Sequence, residues 1–398
     1  MWKETEIGNL PSDWNVTQLG EICTLITDGS HFSPKEEPSK YFMASVKDMR
    51  YNYFEFADCK TISEKDFNSL VQGNCSPIKG DIIISKDGAN CLDLIFVYDQ
   101  PDKIVLLSSI AIARLKKGFD SHFLMYYLLS PTAQYLMRNN FVSGSAIPRV
   151  VLKDFRKVLV PSIPYEKQFA ISSVLKSLDD KIALLHRQNK TLEQLAETLF
   201  KQWFVEEAQE GWEEKGLVEI AEYLNGLALQ KFPAKGINDL HVIKIREMKQ
   251  GISDNTDKCS NDIPSQYIIQ NGDILFSWSG SLEVVIWYDG EGALNQHLFK
   301  VSSDKYPKWF YYLATKHHLA NFKMIAESKS TTMGHIQREH LREAIISIPP
   351  KEIFTEYDKT IEPLIEKKIK NNSQIKTLTK LRDTLLPKLM SGEATVND

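Results

Sequence analysis

Three observations predict an α+β protein: two repeated α/β globules separated by two long helices, which form an antiparallel coiled coil with pseudo-two-fold symmetry. The first is an internal repeat. Trp14, Leu19, Glu21 and Ile22 recur 198 residues later as Trp212, Leu217, Glu219 and Ile220. The run Lys79–Ser85 ("KGDIIIS") is answered by Asn271–Ser277 ("NGDILFS") at an offset of 192, and Thr191–Phe200 by Thr377–Leu386 at 186. The falling offset leaves about a dozen extra residues in the first copy. The second observation is a pair of heptad ladders, and the third is a mixture of strand-like and helical runs without βαβ alternation, which points away from a nucleotide-binding sheet.

In the first globule, "GDIIIS" and "DLIFVYD" are short β-rich runs bounded by Gly, Asp and Asn, as strands tend to be. One helical run, "HFLMYYLLSPTAQYLMRN", follows, and the prolines of "RKVLVPSIP" close the globule. The second globule repeats the order with "GDILFSW", "LEVVIWYD", "YPKWFYYLATKHHLANF" and "REAIISIPP". Predicted boundaries are 1–164 for the first globule, 165–208 for its helix, 209–350 for the second globule and 351–398 for the last helix and tail.

The helices are predicted from 4-3 spacing of apolar residues. In the first, Ile171, Leu175, Leu178, Ile182, Leu185, Leu192 and Leu199 form the seam, interrupted by Asn189. In the second, Ile361, Leu364, Ile375, Leu378 and Leu385 keep the same phase, interrupted by Lys368, Asn371 and Arg382. Two copies of one helix pair most simply with each other, and a two-fold axis would make them antiparallel. At ~1.5 Å per residue, a helix of about 40 residues would be a fixed spacer of ~60 Å. A buried Asn either sets register at a cost in stability or is tolerated near the seam's edge. Lys368 and Arg382 are expected to face partner subunits.

Composition bounds the function. With 398 residues, 42% hydrophobic and 25% charged, the chain suits two or three folded domains. No stretch approaches the ~20 apolar residues of a membrane span, and residues 1–14 carry no secretory signal pattern, so a cytoplasmic location is expected. Five scattered cysteines suggest neither a disulfide framework nor a zinc site. A net charge of −4 argues mildly against nucleic acid. Locally the balance reverses: residues 138–157 hold five basic residues against one acidic, and residues 316–342 five against two, with four histidines nearby. Basic patches at equivalent places in two repeats favour a polyanion over an ordinary solvated face.

Catalytic signatures are missing. There is no phosphate-binding P-loop, no Gly-x-Gly-x-x-Gly fingerprint, no Asn-Pro-Pro-aromatic motif, no His-Glu-x-x-His and no Gly-x-Ser-x-Gly. Pro101–Lys103 ("PDK") lacks a following acidic-x-Lys, and His317 and His318, adjacent on a helix, point to different faces. The chain is expected to catalyse nothing itself.

Several motifs resemble those of the specificity subunit (HsdS) of a Type I restriction–modification enzyme. Ile7–Trp14 ("IGNLPSDW") and Ile26–Pro34 ("ITDGSHFSP") are similar to the start of that family's first target-recognition domain, and Leu224–Phe232 ("LNGLALQKF") to the opening of its second. Ala196–Glu206 ("AETLFKQWFVE") resembles the end of the central helix, and Leu381–Glu393 ("LRDTLLPKLMSGE") the C-terminal signature. The resemblance implies that each globule reads one half of a split, asymmetric DNA site and that the helices set the gap, roughly one helical turn. It also implies docking of two modification subunits, which bring S-adenosylmethionine and methylate adenine N6, and of two restriction subunits that translocate and cleave DNA with ATP and Mg. This chain itself would bind no cofactor and no metal.

Base reading in the major groove needs Arg, Lys, Asn, Gln, Ser or Thr on loops or a ribbon. One pair of candidate loops is Ser143–Arg149, with Ser143, Ser145, Arg149 and the nearby Lys153, and its counterpart Lys329–His335, with Lys329, Thr331, Thr332, His335 and Arg338. A second pair carries Lys47 and Arg50 in one copy, Arg246 and Lys249 in the other. The turns after the "GDI" strands offer Lys86 in one copy, Ser277 and Ser279 in the other, with Trp278 expected to pack rather than stack on bases. Ser30, His31 and Lys231 complete the candidates. Alternatives are a coiled-coil scaffold without sequence-specific DNA binding, or the specificity subunit of a fused restriction–methylation enzyme.

Overall fold

The computed structural model describes residues 1–144, 146–328 and 334–396. By compactness the chain forms two units, one of residues 1–180 with the C-terminal stretch from Thr379, the other Lys181–Leu378. In the first unit, strands Cys23–Asp28, Ile110–Leu115, Ile82–Ser85 and Ile95–Val97 lie side by side in that order, every pair antiparallel. Beside this sheet, Phe42–Ala44 runs parallel to Ile104–Leu106 and antiparallel to Lys60–Thr61. The second unit has the same plan. Glu222–Asn225, Leu298–Ser302, Ile274–Ser277 and Val284–Ile286 form its antiparallel sheet. In its second sheet, which has four strands where the first unit has three, Leu240–Ile243 runs parallel to Gly292–Leu294.

The "GDI" strands sit inside their sheets and are buried along their whole length. That is why both read as unbroken apolar runs rather than as alternating patterns. In each unit the closing strand returns antiparallel beside the incoming one: Leu159–Ser162 beside Asn15–Gln18, and Ile345–Ile348 beside Glu213–Gly216.

The two long apolar runs expected as single helices are each two helices. Ser121–Leu129 and Pro131–Phe141 meet at Ser130, whose backbone is extended and whose hydroxyl accepts from the Ala133 amide at 3.3 Å. Pro131 forces the break, because proline excludes the helical conformation from the residue before it yet suits the first turn of a new helix. In the second unit Lys308–His317 and Leu319–Ser328 part at His318 without a proline.

The long helices span Tyr165–Lys201, continued by a π-turn over Gln202–Glu206, and Lys351–Ser391. Within the second unit they pair antiparallel: Trp203 stacks on Tyr357 at 4.3 Å, Lys368 Nζ meets Glu193 at 2.6 Å, and Asn371 meets Asn189. Within the first unit Ile171 and Leu175 join a core that also takes Leu389 and Met390. Leu175, Ile182, Leu185 and Ile361 of the predicted seam are buried, and Leu178, Leu192, Leu199, Leu364, Ile375, Leu378 and Leu385 are partly buried.

The interruptions in the second ladder do not face outward, contrary to expectation. Lys368 is buried against Glu193 and the Tyr312 ring. Arg382, its side chain 15% exposed, pairs with Asp179 at 2.8 Å and contacts the Tyr51 hydroxyl. A charge inside a helix pair persists only when a counter-charge is supplied there. Both cations are satisfied within the chain.

Candidate nucleic-acid interface

Each unit gathers loops at one end of its antiparallel sheet, and the backbone hydrogen bonds that hold them recur residue for residue. In the first unit the amide of Gly88 donates to Pro148 O and that of Val150 to Lys86 O, both at 2.9 Å. In the second, Gly280 donates to Gly334 O at 2.9 Å and Ile336 to Trp278 O at 3.0 Å. The bridge between Asp87 and Arg149 is answered by one between Ser279 and His335. The two loops expected to read DNA are therefore laced to the turns after the "GDI" strands, in the same register in both copies.

A third loop joins on the other side. Ser30 and Leu107 bridge in the first unit, Leu227 and Asn295 in the second. Gly29 and Gly226 make this approach possible, since a Cβ on either would lie 2.1 Å from Leu106 O or 2.2 Å from Asn295 O. Only glycine allows backbones so close.

On this common frame the side chains differ. Lys86 is buried, not at the surface as expected, its ammonium 2.9 Å from Asp87 and 3.5 Å from Asp28. The corresponding contact in the second unit is neutral: Trp278 Nε1 donates to Asn225 Oδ1 at 3.0 Å. Trp278 packs on Phe299 and lies edge-on to His335, so packing is its main role. Ser30, Ser277 and Ser279 are buried, their hydroxyls engaged by Phe32 O, Ser281 O and His297 Nδ1 respectively. They shape turns and do not present hydroxyls to solvent.

The exposed candidates are His31, Lys47, Arg50, Ser143, Arg149, Lys153, Lys231, Arg246, Lys249 and Arg338; His335 is partly buried. Lys47 and Arg246 occupy equivalent places on short helices whose starts are capped by the buried carboxylates Asp48 and Glu247. Arg50 donates to Lys47 O, Lys249 to Ser281 Oγ, and Arg338 to Tyr223 O. Ser145, Lys329, Thr331 and Thr332 lie outside the described residues.

A hollow in the second unit, lined by Gln230, Lys244, Ile245, Arg246, Asn295, Gln296 and His297, includes residues that loop composition did not single out. The signal for it was the polar triplet Asn295–His297 set between two apolar strands.

Among the described residues no group of three or more His, Cys, Asp or Glu side chains could hold a metal. All five cysteines are buried, and burial pushes the Cys23 and Cys59 thiols up to about 12, far from a reactive thiolate. Among the described residues no helix is long and apolar enough to cross a membrane.

The profile of the Type I restriction modification DNA specificity domain matches residues 11–194 and again residues 209–380. The chain is 25% identical to the Type I restriction enzyme MjaIX specificity subunit of Methanocaldococcus jannaschii, over 100% of this chain and 97% of that protein. It is 23% identical to the HindI specificity subunit of Haemophilus influenzae, over 96% and 100% respectively. A crystal structure of the Type I restriction–modification S subunit from M. genitalium superposes with a TM-score of 0.58 at 16% identity, covering 98% of this chain and 99% of that one. With the domain profile present twice over most of its length, the chain belongs to the Type I restriction–modification specificity subunits.

Proposed function

We propose that this chain is the non-catalytic DNA-reading subunit of its restriction–modification complex, with each unit reading one part of a split, asymmetric site. The carrying observation is the loop frame repeated in both units with unlike side chains upon it. One frame binds one kind of target, double-stranded DNA, while unlike side chains select unlike bases. The exposed cations Lys47, Arg50 and Lys153 in one copy, and Lys231, Arg246 and Lys249 in the other, supply phosphate contacts that fix register without carrying sequence information.

Two modification subunits would bring S-adenosylmethionine and transfer its methyl group to adenine N6 in each half-site. Two restriction subunits would add ATP- and Mg-dependent translocation and cleavage. This chain contributes target choice. The test is single-molecule mapping of adenine methylation in a host that expresses the chain with its modification subunit, against a host lacking the chain. A new bipartite motif is expected. An assembled complex that leaves methylation unchanged would instead favour a scaffold without sequence-specific binding.

A further inference from the structure

We propose that Arg149 is the specificity-determining residue of the first unit's half-site and reads a guanine in the major groove. This inference rests on the DNA-reading function proposed above.

The backbone of Arg149 is held on both sides. Its amide donates to Ser143 O and its carbonyl accepts from the Ser143 amide, both at 2.9 Å, while its neighbours Pro148 and Val150 are bonded to Gly88 and Lys86. The side chain is exposed and makes no hydrogen bond or ion pair among the described residues. A guanidinium without a partner keeps both its donors for guanine O6 and N7, and the pinned backbone has already met its own share of the ordering cost.

The surroundings favour a base edge over a phosphate. Asp28, Lys86 and Asp87 together carry two negative charges against one positive beside this bridge. A phosphate approaching Arg149 would be repelled by that excess more strongly than a guanine edge, which carries no net charge. Asp87 stands directly across the bridge from Arg149, and its Oδ1 is buried without a hydrogen-bond partner among the described residues. Directly paired residues of an antiparallel bridge share a face with Cβ atoms ~5 Å apart. Asp87 Oδ1 is therefore placed to accept from one edge of the guanidinium while the other edge meets guanine. His335 holds the same position in the second unit, opposite the neutral Ser279. The two half-sites are thus read from one position with different chemistry.

The test uses the assembled methyltransferase with wild-type chain, Arg149→Gln and Arg149→Lys, read by adenine-methylation mapping and by competition binding with oligonucleotides altered one base pair at a time. Wild type should discriminate about tenfold or more for one G·C pair in one half-site. Arg149→Gln should lose the preference for guanine at that pair alone, with the other half-site unchanged. Arg149→Lys keeps a charged donor that still reaches guanine O6 and N7, so it should retain part of that preference. A glutamine variant with an unaltered motif would overturn the proposal, and so would one that weakens binding equally to every sequence, which marks a phosphate contact. If methylation by the glutamine variant is too weak to map, loss of discrimination at that pair in the binding assay supports the proposal, and retention overturns it. A wild-type complex that assembles but selects no motif would instead overturn the function on which the proposal stands.

Discussion

Lys86 shows how a residue's neighbours decide its role. A lysine in a polar turn after a strand reads as a phosphate ligand, yet here Asp28 and Asp87 enclose its ammonium and its carbonyl anchors the neighbouring loop. Replacing it with methionine would leave two partly hydrated carboxylates facing each other. Lys86→Met should destabilise the first unit by about 2 to 3 kcal/mol, measured by urea denaturation. In the second unit Glu193 accepts from the Tyr312 hydroxyl and pairs with Lys316 and Lys368. Burial opposes its charge, but the two ammonium groups prevail and hold its carboxyl down at about 2, from an ordinary 4.5. The same carboxylate outweighs burial at Lys316, raising it, and fails to do so at the more enclosed Lys368, which is lowered. A depressed carboxyl stabilises the fold above its unfolded pKa and loses that contribution as pH falls towards its folded one. Unfolding followed from pH 6 to pH 2 should therefore show stability lost below about 4.5, and Glu193→Gln should flatten that loss.

Among the elements, the paired helices carry a polar layer within an otherwise apolar seam. Asn371, wholly buried, donates to Asn189 Oδ1 at 2.9 Å, and Asn189 donates to Asn372 Oδ1 at 2.6 Å. These bonds favour register over the alternative reading of a seam asparagine, since a slip would break both of them in an apolar layer, although Asn371 Oδ1 has no partner among the described residues. Asn371→Leu alone should cost about 1 to 3 kcal/mol by leaving Asn189 Oδ1 without a donor. Leucine at both 189 and 371 should be neutral or stabilising, while loosening the register. Cross-linking of cysteine pairs placed along the two helices would detect that loosening.

For the whole molecule, net charge misleads. The overall −4 coexists with cations presented at equivalent places in both units, Lys47 and Arg246 among them. DNA affinity of the assembled complex should fall linearly with the logarithm of salt concentration. Replacing Lys47 and Arg246 with alanine should reduce the slope by about 2, with discrimination between sequences unchanged. Binding titrations at several salt concentrations would measure both quantities.

Amino-acid order alone determined the duplication, both helical seams and the pairing of equivalent loops, because these rest on periodicity and ordered recurrence. It also makes the candidate interface partly legible: the repeat sets Arg149 and His335 at equivalent places, and each bridges the turn after a "GDI" strand. Tertiary structure decided the remainder. Hydrogen bonds such as Val150 to Lys86 join residues far apart in the chain and leave no periodic trace. Burial of Lys86, Lys368 and Arg382 depends on carboxylates delivered by other elements, so a cation that reads as surface charge becomes an internal ion pair. The split at Ser130 was missed although the Ser-Pro pair carries its signal; the split at His318 has no such signal, since no residue there forbids a continuous helix. Local chemistry sets what a segment can do, and only packing against distant segments settles which side chains stay free to meet DNA.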